Sequence, residues 1–316
     1  MDKLVSVVMP AYNCAAYIQE AIASVLNQSY SNFELIIWDD GSTDETKSRI
    51  HSIKDPRITI YHNTENTGYP AVMNSLFSVV CGEFVMIHDA DDISHPERIG
   101  KLATALEENP LTDLAGSQVI KFNSDGQHTA IYSELSESKL NDSFISFNRP
   151  DITFGSLMMR RDVTKIPFRN LMFVNRAQDI DWLFRVSEKH RFINCGDQLY
   201  YYRQHDQSMS NANKSEHLFD YFFWEYICFI TQFRREKGID LLDPGYEKEV
   251  LSFLNALIIK KKRADPVFWE RHLAYRAARN RNWSEALLLS LYAIKRHPLK
   301  RAGYQCMYKI LPWNFK

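Results

Sequence analysis

Phe84-Val85-Met86-Ile87-His88-Asp89-Ala90-Asp91-Asp92 is the stretch that decides the fold. Four apolar residues run directly into three carboxylates within four positions. A strand burying Val85 and Ile87 carries that cluster out at its C-terminal end, where open α/β sheets hold their ligands. Carboxylates this close repel one another unless a cation sits among them or protons are taken up. Hard divalent ions such as Mg²⁺ and Mn²⁺ favour such oxygen-rich settings, together with substrate phosphates. A solvated acidic turn that caps the following helix is the alternative, with Asp92 before Ile93-Ser94-His95-Pro96 as the expected cap.

A second strand end repeats the design. Phe33-Glu34-Leu35-Ile36-Ile37-Trp38 leads into Asp39-Asp40-Gly41-Ser42-Thr43-Asp44. Gly41 permits a tight turn, and Ser42 or Thr43 is expected to cap the helix that begins near Asp44. Ordinary turn chemistry accounts for one such segment, but not for two acidic strand ends of one design.

Outward from these ends, strand and helix alternate. Leu4 to Met9 reads as a first strand broken by Pro10. The apolar residues Ala16, Ile18, Ala21, Ile22, Val25 and Leu26 fall at helical spacing. Ile58-Thr59-Ile60-Tyr61 gives another strand, and a helix over about 70–79 leads to Phe84. This alternation predicts a parallel, doubly wound sheet flanked by helices.

The motifs together resemble glycosyltransferase family 2. They are Val5 to Asn13, Asp39-Asp40-Gly41-Ser42-Thr43-Asp44, Asn66-Thr67-Gly68, Asp89-Ala90-Asp91-Asp92, Gln178-Asp179 and the end near Tyr202-Arg203-Gln204-His205. The resemblance covers about the first two-thirds of the chain. It implies a GT-A fold, a nucleotide-sugar donor, Mn²⁺ or Mg²⁺ as cofactor, and inversion at the anomeric carbon. Carried over, it places Pro10, Ala11, Tyr12 and Asn13 beside the donor base and ribose. Asp40 then accepts a hydrogen bond from the base, with Asp39 beside it. Gly68 and Asn74 join the donor site. Asp91 becomes a metal ligand, Asp89 lies nearer the ribose, His205 completes the metal's coordination, and Asp179 is the general base.

These residue types suit the chemistry. A nucleoside diphosphate leaves when its developing charge is neutralised by a metal ion. The acceptor hydroxyl needs a carboxylate within reach to take its proton. The chain also departs from the pattern. Gln178 stands where many relatives carry Glu, and Val72-Met73-Asn74 where many carry Ala-Arg-Asn. Lys101 or Arg203 is the expected substitute for that arginine.

Two other classes fit less well. A sugar-1-phosphate nucleotidyltransferase grips a triphosphate with a Gly-rich basic loop after its first strand, yet Leu4 to Thr46 contains no Lys, no Arg and no glycine before Gly41. A receiver-like module, non-enzymatic, is complete near 120 residues and leaves Gln178-Asp179 and His205 without purpose.

Composition bounds the remainder. The 316 residues are 45% hydrophobic and 24% charged with net charge -1, which gives no basic field for nucleic acid. Five scattered cysteines form no disulfide framework and no zinc pattern. The expected arrangement is a catalytic domain over 1–212 and a helical region over 213–316, with helices at about 216–237, 246–262, 266–280, 283–295 and 302–311. After Glu285 the chain has six basic residues and no acidic one, interleaved with Tyr304, Tyr308, Trp313 and Phe315. That mixture suits the surface of an anionic membrane. The expected location is cytoplasmic, peripheral at the cytosolic face of the inner membrane, with a glycan or lipid-linked acceptor.

Overall fold

The computed structural model describes residues 2–123, 128–131, 136–174, 176–205, 218–279 and 282–296. The chain divides into two compact units, one of 1–170 with 178–205 and one of 171–177 with 206–316. The boundary expected at 212/213 lies outside the described residues, as does the helix expected at 302–311.

In the first unit, β1 (Val5–Ala11), α1 (Ile18–Leu26), β2 (Phe33–Asp39), α2 (Thr46–Ser52), β3 (Ile58–His62), α3 (Tyr69–Val79) and β4 (Phe84–Ile87) alternate as the periodicity predicts. There follow β5 (Ile93–Ser94), α4 (Arg98–Glu108), β6 (Leu114–Asn123), β7 (His128–Ile131), α5 (Glu137–Ile145), β8 (Met158–Arg160), α6 (Gln178–Val186) and β9 (Phe192–Gln204). One sheet runs in the order β3-β2-β1-β4-β8-β6-β9-β5, with β7 on β6.

Strands β1 to β4 are mutually parallel where they pair. Beyond them the sheet is mixed, because β8 runs antiparallel to both β4 and β6 while β9 is parallel to β6. Alternation along β1 sends Val5, Val7 and Met9 into one core with Leu35, Ile37, Phe84 and Met86. The apolar stripes of α1 and α4 cover that face. Each such buried aliphatic contributes roughly 1.5–3 kcal/mol. The other face of β1 and β2 receives α3, which buries Val72, Met73, Leu76 and Phe77.

Pro10 does not break β1. Pairing with β4 ends at Val8 and Ile87, while pairing with β2 continues through Pro10 and Ala11. The Val8 carbonyl points to the β4 side and that of Ala11 to the β2 side. Alternation therefore turns the Pro10 nitrogen toward β4, beyond the end of the ladder, where no N–H is needed. The strand ends of β1, β2 and β4 consequently lie side by side.

Among the described residues of the second unit the α-helices are α7 (Phe223–Lys237), α8 (Glu247–Ala264), α9 (Phe268–Arg279) and α10 (Trp283–Arg296). Gly238 ends α7 in the left-handed conformation. Ala274 and Ala277 of α9 pack on Ala286 of α10.

Candidate active site

The loops after β1 and β2 fasten to each other. The backbone N–H groups of Asn13, Cys14 and Ala15 donate to Ser42 Oγ, Thr46 Oγ1 and Asp44 Oδ2 at 3.0, 2.8 and 3.1 Å. Asn13 Oδ1 in return accepts the Thr43 N–H at 2.8 Å. Asn13 sits at φ +46, a left-handed conformation that Asn tolerates. Gly41 is required twice over, by φ +68 and because a Cβ would lie 2.5 Å from the Glu65 backbone. Ser42 and Thr43 are therefore loop fasteners rather than the expected helix caps, and Asp44 accepts the Thr46 N–H at the start of α2. Tyr12 remains 47% exposed at the open side of this loop.

Asp39 and Asp40 are buried and hydrogen-bonded. Asp40 Oδ1 accepts from Asn63 Nδ2, Thr67 N and Thr67 Oγ1, and its Oδ2 accepts from Gly68 N. Burial alone would raise its pKa, but these four bonds outweigh it and hold the carboxyl below the ordinary range. Asp40 thus anchors the 63–68 loop, while its Oδ2, which accepts from Gly68 N alone among the described residues, has room for a second donor. Asp39 accepts from Ser42 and contacts His62 Nδ1 at 3.2 Å. Gly68 takes φ +90 with open space where a Cβ would be, so backbone conformation alone requires glycine there.

The β4 end is the opposite case. Burial and the Asp91 charge push Asp89 up to about 7, against the Tyr200 hydroxyl at 3.2 Å and the Arg98 charge. Asp92 is buried too, and burial with the charges of Asp89 and Asp91 raises it well above the ordinary range. It accepts the Arg203 N–H at 2.7 Å, and its other oxygen has no partner. The helix cap expected of Asp92 is corrected by this bond, since α4 begins only at Arg98. Asp91 is partly exposed, and His205 Nε2 lies 2.8 Å from its Oδ2 across 114 positions of sequence. The His205 ring packs on Tyr17 at 4.5 Å.

Asp179 opens α6 and is near enough for its charge to act on both Asp89 and Tyr69. Its neighbour Asp181 is fully buried and gripped by Arg169 at 2.9 and 2.8 Å and by Arg185 at 3.0 Å. Those three bonds make Asp181 a structural carboxylate. Asn74, expected at the donor, clamps the Phe168 backbone through both ends of its amide, at 2.9 and 2.7 Å. Met73 is fully buried, so position 73 reaches no ligand. Of the expected substitutes, Lys101 pairs with Asp197 at 3.0 Å, whereas Arg203 Nε donates to the Asp91 carbonyl at 2.8 Å beside the site.

Three supporting residues carry no motif signal that sequence reasoning used. Arg98 is fully buried, donates to Ser94, to the Ile87 carbonyl and to that of Gly155, and stacks on Tyr200 at 4.5 Å. Gly155 admits this approach, since a Cβ there would lie 2.6 Å from Asp89 Oδ2 and 2.5 Å from the Tyr200 hydroxyl. An arginine four residues after Ser94, on the apolar face of α4, was the one available hint.

The donor set fits a hard divalent cation that completes its shell from elsewhere. Among the described residues no three His, Cys, Asp or Glu side chains converge as a cage. Asp91 and His205 supply two adjoining ligand atoms, which matches ions bound through few side chains plus phosphate oxygens and water.

Comparison with known proteins identifies the family and the fold. The family described as Glycosyl transferase family 2 matches residues 6–166, half of the chain. A Bacillus subtilis protein named as a glycosyltransferase, EpsE, is 32% identical over 206 residues, covering 63% of this chain and 73% of its own. The Escherichia coli UDP-Glc:alpha-D-GlcNAc-diphosphoundecaprenol beta-1,3-glucosyltransferase WfgD is 28% identical, covering 69% and 83%. S. aureus TarS 1-349 in complex with UDP-GlcNAc shares the fold with TM-score 0.58 at 18% identity, over 97% of this chain and 90% of that one. The Pyrobaculum calidifontis mannosyltransferase PcManGT, in complex with GDP-Man and Mn²⁺, gives 0.52 at 16%, over 100% and 89%. The fold is of the GT-A kind. The chain belongs to glycosyl transferase family 2 and is a glycosyltransferase that uses a nucleotide-sugar donor.

Proposed function

We propose that the protein transfers a hexose or N-acetylhexosamine, with inversion and with Mn²⁺ or Mg²⁺, from a UDP-sugar to a hydroxyl of a lipid-linked glycan in bacterial surface polysaccharide assembly. The observation that carries the metal-dependent reading is the meeting of Asp91 and His205 at the end of β4. The bound ion would be held there and would neutralise charge developing on the leaving diphosphate. Pro10, Ala11, Tyr12, Asn13, Asp39, Asp40 and Gly68 border the base and ribose, and Asp89 lies on the ribose side. Asp179 takes the acceptor's hydroxyl proton as the acceptor oxygen bonds to the anomeric carbon. The bond from that carbon to the diphosphate breaks, and the nucleoside diphosphate leaves. The name of WfgD, which gives a diphosphoundecaprenol-linked sugar as acceptor, supports the acceptor class.

A thermal-shift screen of UDP-, GDP- and dTDP-sugars with and without Mn²⁺ tests the donor, because a ligand of the folded state raises apparent stability. UDP-sugars should respond, and only with metal. Product NMR should show an anomeric configuration opposite to the donor's; retention would exclude Asp179 as a simple base.

The acceptor reading extends to an anionic membrane at the cytosolic face. Among the described residues no helix is long and apolar enough to cross a bilayer. Leu287, Leu288, Leu291 and Tyr292 are exposed on α10, whose last turn carries Lys295 and Arg296. The basic and aromatic residues from Lys300 onward lie outside the described residues. The protein should sediment with phosphatidylglycerol vesicles at low salt and be released at high salt, each basic residue contributing on the order of 1 kcal/mol. Protein left in the low-salt supernatant refutes membrane contact.

A further inference from the structure

Tyr69 opens α3 directly after Gly68, at a position to which none of the sequence motifs gives a role. Its ring stands edge-on to Phe154 at 6.5 Å and to Phe168 at 5.9 Å. Phe168 in turn stacks flat on Trp182 at 5.2 Å. This aromatic collar connects the two chemical ends of the site. Phe154 precedes Gly155, whose backbone lies against Asp89 and Tyr200. Trp182 lies three residues beyond Asp179 in α6, so the collar's other wall belongs to the helix of the proposed base.

The hydroxyl of Tyr69 is a donor without a partner. It forms no hydrogen bond with any described residue. Burial, followed by the charges of Asp89 and Asp179, holds its proton well above the usual phenol range, so at any physiological pH it donates. Nearby polar groups are already engaged: Tyr200 bonds Asp89, and Asp40 has four donors. Sites that keep a hydroxyl donor open are sites that read a substrate hydroxyl or amide.

The collar places Tyr69 between Phe154, which adjoins Gly155 and Asp89, and Trp182, on the helix that carries Asp179. Asp89 belongs to the ribose and diphosphate side, and Asp179 to the acceptor side. On the proposed reading the sugar being transferred lies between the two. We infer that Tyr69 donates a hydrogen bond to a hydroxyl of that sugar and so contributes to the choice of donor hexose. This inference rests on the nucleotide-sugar reading of the site.

The test separates nucleotide from sugar. Tyr69→Phe keeps the ring and its packing and removes only the hydroxyl. Calorimetry with Mn²⁺ compares UDP with UDP-glucose and UDP-N-acetylglucosamine in wild type and variant. UDP should bind both proteins alike within about twofold, while the tighter nucleotide sugar should bind the variant about five- to fifteenfold more weakly, the worth of one hydrogen bond. Unchanged affinity for the nucleotide sugar would overturn the contact. An equal loss for UDP and nucleotide sugar would show that the hydroxyl serves the fold. Failure of the wild type to bind UDP at all would overturn the UDP-donor reading, and this inference with it.

Discussion

The two acidic strand ends flank β1 on either side, look alike in sequence, and differ in how their charge is satisfied. At the end of β2, Asp40 receives four hydrogen bonds and is held below the ordinary carboxylate range. At the end of β4, Asp89 and Asp92 are raised, one Asp92 oxygen is orphaned, and Asp91 faces a histidine. The first cluster is hydrogen-bonded within the fold and shapes a loop. The second stores negative charge that the protein's own groups compensate only in part, which is the condition a divalent ion relieves. Residue type alone does not distinguish scaffold from site; the count of donors does.

Two neighbouring aspartates of α6, the proposed base Asp179 and the ion-paired Asp181, give the largest expected effect. Asp179→Asn keeps shape and removes the proton acceptor, so transfer should fall about 10²–10⁴-fold with donor affinity retained. Asp181→Asn should instead lower stability by roughly 3–5 kcal/mol, because it leaves Arg169 and Arg185 without their buried partner. Turnover measured beside thermal denaturation separates the two. Near-normal turnover in Asp179→Asn would end its assignment as base.

A direct exchange of roles would break the comparison of strand ends. Asp40→Ala should destabilise the fold by on the order of 3 kcal/mol, since it strands the donors of Asn63, Thr67 and Gly68. Asp91→Ala should relieve repulsion and leave the melting temperature within about 2 °C, a change under 1 kcal/mol for a unit of this size. It should, however, abolish the enhancement of UDP binding by Mn²⁺. If Asp40→Ala were silent in melting and Asp91→Ala were silent in binding, the two ends would be equivalent.

Much of this contrast was hidden from the sequence for a physical reason. Alternating apolar runs and helical spacing located β1 to β4 and α1 to α3, because those patterns are set by local burial. The motif resemblance led to Asp91, His205 and Asp179, which the fold brings to one end of the sheet or within electrostatic reach of it. The contacts of Asn74 and Asp92 are invisible to local pattern because their partners, the Phe168 backbone and the Arg203 N–H, lie 94 and 111 residues away. Arg98 was missed because an arginine on a helix ordinarily faces water, and only the fold puts Tyr200, Gly155 and Ile87 around it. Pro10 read as a strand break because the end of the β1–β4 ladder is a tertiary fact.

The smallest expected effect concerns the residue that joins β4 to its carboxylates. His88 is fully buried, its Nδ1 lies 2.9 Å from the Asp89 carbonyl, and burial followed by the Arg98 charge pushes its pKa down to about 3. Nδ1 therefore carries the proton of a neutral ring and donates it to that carbonyl. An unfolded histidine titrates near 6.5, so below that pH the unfolded chain takes up a proton that the native chain refuses. Stability from this group is complete above pH 6.5 and is lost as pH falls toward 3. Between pH 7.5 and 5.5 the loss is about 1.4 kcal/mol. His88→Leu fills similar space and cannot titrate; it forfeits the bond to Asp89 by a pH-independent amount. Urea unfolding of wild type and variant at both pH values should show the wild type's advantage shrink by about that 1.4 kcal/mol at the lower pH. An advantage that stays constant would mean that His88 accepts a proton in the native state, and that the β4 end compensates its charge more fully than its contacts indicate.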